Sequence, residues 1–165
     1  MRRAVEAVDE AVHHVAGEQI QIADTCQHLG VDKPRPRHRS RLLVALHWGS
    51  ILVHHLGHAI AARRTGYPMT GVQMWGLLGR SLYPTAEPSL PGSVHIRRAL
   101  GGPIASTFLG LAAVVPTVLL RPAVGLIWWL ALFVTLDNLV ILGPGAFLPL
   151  GFTDGSTILT WWSRR

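Results

Sequence analysis

Three stretches of this chain are long enough to cross a bilayer and almost bare of charge. Leu42 to Ala62 contains no Asp, Glu, Lys or Arg and is closed by Arg63-Arg64. Ala99 to Leu120 is bounded by Arg97-Arg98 and Arg121. The run from Pro122 past Leu142 is interrupted only by Asp137. A helix of about 20 apolar residues covers the hydrocarbon of a membrane. Gly143-Pro144-Gly145 and Pro149 break the third run, and a shorter apolar stretch, Ser156 to Trp162, ends the chain before Arg164-Arg165. Trp128, Trp129, Trp161 and Trp162 suit the interfaces, where indoles are enriched. The expected fold is an all-α polytopic membrane protein with a three-span core and a broken third helical region. Residues 66–98, with Val72, Met74, Trp75 and Leu77 among Gly and Pro, read as a short interfacial loop or hairpin.

Composition agrees with this reading. Only 15% of the 165 residues are charged, against roughly a quarter in soluble domains, and most of that charge lies in residues 1–41 and 63–98. The formal net charge is +6, carried by arginines apart from Lys33. Because these arginines flank apolar runs, membrane lipids with anionic headgroups are the expected partner and nucleic acid is not. The expected location is an integral, multi-pass position in a cell (plasma) membrane. Cys26 is the single cysteine, so no internal disulfide forms. The first 20 residues are charged and lack the long apolar core of a signal peptide.

Residues 1–40 read as an amphipathic and basic segment, and 41–165 as the membrane-embedded domain. Ala4, Val8, Ala11, Val12 and Val15 recur at helical steps over 2–16, and a second short helix is expected from Gln19 to Leu29. Lys33 to Arg41, with two prolines and five positive charges, is expected to be a non-helical collar at the headgroups.

The chemistry sits inside the apolar runs. His54 and His58 are four residues apart, which on a helix places them about 40° and about 6 Å from one another, within reach of one metal ion. A lone pair of this kind is more often two helix histidines bonded to carbonyls. Within a span, however, several histidines are costly unless they face a polar interior or an ion. Asp154, after a proline break, needs a cation or donors if buried. It is either the N-cap of the helix starting near Gly155-Ser156 or a third ligand, and the two roles are compatible. Asp137 is its competitor. His47 lies on the His54 face, as a packing histidine before a fourth ligand. Glu87 reads as a solvated loop carboxylate, and His95 as interfacial.

Taken together, Val53-His54-His55-Leu56-Gly57-His58-Ala59, Gly101-Gly102-Pro103 in the next run, and Pro149-Leu150-Gly151-Phe152-Thr153-Asp154-Gly155 resemble, in order, three elements of the site-2 protease family of intramembrane zinc metallopeptidases. The resemblance covers about residues 42–162. It implies Zn²⁺ held by His54, His58 and Asp154, peptide-bond hydrolysis in or near the membrane, and a transmembrane peptide as substrate. It also implies substrate binding by Asn138, at the place of an asparagine ahead of the Asp-Gly motif. One departure stands out: His55 occupies the position of the family's glutamate, the general base. His55 is therefore the candidate catalytic residue, and the alternative is a non-catalytic relative that keeps the metal and binds a membrane partner. A metal or proton carrier is a third class, which the Gly-Pro and Asp-Gly elements argue against.

Overall fold

A computed structural model describes residues 36–123 and 125–164; the two helices expected over 2–16 and 19–29 lie outside the described residues. Helix α1 spans Pro36–Arg64. The stretch expected to be non-helical is thus helical from Pro36 on, and beyond that residue it holds no proline to break the helix. Arg63 and Arg64 occupy the last turn, where cations favour the helix dipole. Gly66 stops the helix with φ +83° while its amide bonds to the Arg63 carbonyl.

An antiparallel hairpin follows, β1 (Gly71–Trp75) and β2 (Leu78–Leu82), with Gly71 opposite Leu82 and Trp75 opposite Leu78. The tight turn needs a positive φ, which Gly76 supplies at +56°. The hairpin tip is tied to α1: the Trp48 indole donates to the Gly76 carbonyl at 2.9 Å and His47 Nε2 to the Leu77 carbonyl at 3.0 Å.

Helix α2 (Gly92–Leu119) carries Gly102, Pro103, Ser106, Gly110 and Ala113 on its buried face. Helix α3 (Leu126–Leu136) passes into a π-helical turn, Asp137–Leu142, and then a 3₁₀ turn, Pro144–Phe147. This is the broken third region that Asp137, Gly143 and Pro144 foreshadow. Helix α4 (Asp154–Trp162) closes the fold. Its first turn is so close to the 3₁₀ turn that a Cβ on Gly155 would overlap the Phe147 carbonyl.

The core is polar and the outside apolar. Ser50, His54, His55, His58, Arg98, Ser106, Thr135, Asp137 and Asn138 are buried, while Leu56, Phe108, Val118 and Ile127 are 58–70% exposed. Water would reverse this distribution; hydrocarbon permits it, because polar groups gain by facing one another there. Among the described residues two helices, Gly92–Leu119 and Leu126–Phe147, are long and apolar enough to cross a membrane. Helix α1 is as long, but its four histidines after Arg41 lower its apolarity, so a third span does not follow from length and composition.

Candidate metal centre

Helix α1 presents His54 and His58 from successive turns to α2 and α4, and both are buried. Asp154 is the first residue of α4, and the helix N-terminal dipole favours its negative charge. The N-cap position belongs to Thr153, not to Asp154 as the sequence allows. The Asp154 carboxylate is thereby free to point at the histidines. Its Oδ2 lies 3.2 Å from His54 Nε2 and its Oδ1 3.3 Å from His58 Nε2. The two imidazoles sit edge to face, 4.7 Å apart.

The other ring nitrogens are held by the protein. His58 Nδ1 donates to the Arg98 carbonyl at 2.8 Å, and His54 Nδ1 lies 3.0 Å from the Ser106 hydroxyl. The Gly102 amide also approaches His58 Nδ1, at 3.2 Å. The contact to the carbonyl is the shorter, and a carbonyl can only accept, so Nδ1 is assigned as the donor there. With its proton on Nδ1, a neutral His58 turns the Nε2 lone pair toward a carboxylate oxygen. Two lone pairs at this distance repel unless a cation lies between them.

A metal ion fits that requirement. Ligands about 2.0–2.2 Å from one tetrahedral centre stand about 3.3–3.6 Å from each other. Each Nε2 stands close to that from one carboxylate oxygen, His54 from Oδ2 and His58 from Oδ1, and the three residues offer donor atoms all within 4.8 Å. Two histidines and one carboxylate leave a fourth position open. The orienting bonds from Ser106 and the Arg98 carbonyl are the usual supports of histidine ligands. Gly102 leaves the room: a Cβ there would collide with Nε2 of both His54 and His58.

His55 stands beside this triangle rather than in it. Its ring centroid is 5.6 Å from that of His54 and 5.5 Å from that of His58, and its Nδ1 lies 3.0 Å from the Ser81 hydroxyl on β2. A Cβ on Gly79 would overlap the ring, so the hairpin packs directly on His55. Asn138 is fully buried, with its amide nitrogen donating to Ser50 Oγ at 2.8 Å and to the Val134 carbonyl at 2.9 Å. Its Oδ1 has no partner among the described residues. Asp137 goes to His47, whose Nδ1 lies 3.0 and 3.1 Å from the two carboxylate oxygens.

Several residues in this region carry structural roles that the sequence reading did not give them. Arg98 is buried, pairs with Glu87, donates to the Tyr67 carbonyl at 2.6 Å, and lies over the Tyr83 ring at 4.3 Å. Glu87 is therefore no solvated loop carboxylate. The hydrogen bond from Arg98 holds its carboxyl below the usual range. His95 stacks on Trp161, with centroids 4.0 Å apart. Ser106 was detectable in principle, since it lies four residues after Gly102 and so on the same helical face.

No family model matches the sequence, and no curated protein matches it. Among solved structures, the fold is similar to that of a site-2 protease from Methanocaldococcus jannaschii, with a TM-score of 0.58 and 21% identity. The match covers 85% of this chain and 61% of that one, so this chain spans about three-fifths of the protease's length. The fold class is thus site-2 protease-like, and the polar core, the two apolar helices and this likeness point to a membrane protein.

Proposed function

We propose that this chain is an intramembrane zinc metallopeptidase-like protein acting on peptide bonds in or near the membrane, with α1 as a third span. The convergence of His54, His58 and Asp154, with both Nδ1 atoms already engaged, carries the reading. When bound, zinc supplies Lewis acidity and makes water a nucleophile near neutral pH. The chain's own contribution is to hold two imidazoles in one tautomer, keep a carboxylate against them, and exclude bulk water with the hairpin and α2. His55, beside the triangle, is the residue we assign to take up and return the proton of the attacking water. Asn138, fully buried with an unpartnered Oδ1 among the described residues, would bind an amide of an extended peptide once the entering segment uncovers it. Membrane lipids surround the helices, and the substrate is a transmembrane peptide segment that unwinds to enter.

A second reading, a relative that keeps the metal and binds a membrane partner without turnover, is favoured by one observation: Ser81 and Gly79 confine the His55 ring against β2. Zinc-dependent cleavage of a transmembrane peptide by the protein in liposomes separates the two. The peptidase reading expects turnover that chelation removes and zinc restores, a fall in His55→Ala, and a rise in His55→Glu. Cleavage unchanged in His55→Ala removes that residue as base; zinc binding without any turnover, in wild type and His55→Glu alike, establishes the second reading.

A further inference from the structure

On the outer side of the α1–α2 crossing lies a cavity of about 560 Å³. Its floor is the crossing itself, where Gly57 and Gly101 meet so closely that a Cβ on either would overlap the other's carbonyl. Its walls are apolar, with Ile60 and Ala61 from α1 and Leu100, Ile104, Ala105 and Phe108 from α2. One end is cationic and polar, formed by Arg64, Thr65 and Arg97. Both arginines are exposed, and among the described residues neither is paired with a carboxylate.

We infer that this groove is a binding site for one anionic phospholipid, with the phosphate between Arg64 and Arg97 and one acyl chain along the floor. Length supports the occupant. From Arg97 to Phe108 the helix rises about 16 Å, close to half the roughly 30 Å of a bilayer's hydrocarbon. Spread over that length, 560 Å³ is ample room for a single hydrocarbon chain. Charge supports it as well: two cations stand at the end where the arginines close the apolar runs, which is where headgroups lie. The inference rests on the membrane location and not on the metal centre, since Gly57 and Gly101 face the groove while His58 and Gly102 face the donors.

The test uses delipidated full-length protein in detergent, offered dioleoyl phosphatidylglycerol or dioleoyl phosphatidylcholine in mixed micelles, with retained lipid counted by native mass spectrometry. The expected result is one phosphatidylglycerol retained per chain, with a preference of about tenfold or more over phosphatidylcholine. Arg64→Gln/Arg97→Gln should abolish the preference while thermal unfolding is unchanged, because both side chains are on the surface. Ala105→Phe, which fills the groove, should expel the lipid with both arginines intact. Equal retention of the two lipids, or full retention in the double arginine variant, overturns the inference. So does complete displacement by millimolar inorganic phosphate, which would leave only an anion site. A dimer that Ala105→Phe dissociates, with no lipid preference, would overturn it in favour of a second copy of the chain on this face.

Discussion

Two histidine–aspartate clusters share helix α1, and they have opposite characters. At one, His47 is saturated: Asp137 accepts at Nδ1 and the Leu77 carbonyl at Nε2, so the ring joins α1, the π-helical turn and the hairpin tip. At the other, His54 and His58 spend only Nδ1 on the protein and turn Nε2 toward Asp154. The same residue types therefore make a closed structural link in one place and a convergent donor set in the other. What separates them is convergence: at the second cluster two imidazoles turn Nε2 onto one carboxylate, whereas at the first a single imidazole meets its carboxylate alone and spends its other nitrogen on the hairpin.

The largest expected effect breaks the comparison directly. His54→Ala or Asp154→Ala should reduce zinc in the purified protein to background, whereas His47→Ala should leave its stoichiometry intact, as measured by plasma mass spectrometry. Loss of zinc in His47→Ala would merge the two clusters into one. A smaller effect sharpens it: Ser106→Ala removes the partner of His54 Nδ1, and zinc affinity should fall about 10–100-fold in a competitive chelator titration. An unchanged affinity would mean that the Ser106 hydroxyl does not orient the ring.

The smallest effect concerns Arg98, whose carbonyl orients His58 and whose side chain depends on Glu87. Glu87→Gln should lower the free energy of unfolding by about 2–3 kcal/mol, less than for a fully buried pair because Glu87 keeps some solvent contact. The pH dependence has a definite sign. The Glu87 carboxyl titrates below its unfolded value in the folded chain. Its stabilisation is thus complete above the ordinary carboxylate range and is lost as pH falls through the depressed value. Melting curves of wild type and Glu87→Gln should converge at acid pH and separate toward neutrality. A gap that is constant with pH would remove the ion pair as its cause.

Much of the site was legible in the chain. The i,i+4 spacing of His54 and His58 and the charge-free run around them placed two donors on one buried face. Asp154 and Asp137 were rivals on paper, since both are lone carboxylates in apolar surroundings. The choice between them depended on where α4 begins and on the π-helical turn in which Asp137 and Asn138 are buried. Glu87 looked solvated because its partner, Arg98, is eleven residues away across a proline-rich loop.

Local rules suffice for what depends on neighbouring residues. Length and lack of charge marked three stretches, two of which qualify as spans among the described residues; helical period set the histidine pair, and glycine and proline set the hairpin turn and the broken third helix. Long-range convergence was another matter, because a hydrogen bond or ligand distance is decided to tenths of an ångström by packing between segments far apart in sequence. That Asp154 meets His54 and His58, that Gly102 leaves them space, and that His55 lies under the hairpin instead of within the triangle were settled only by the assembled helices.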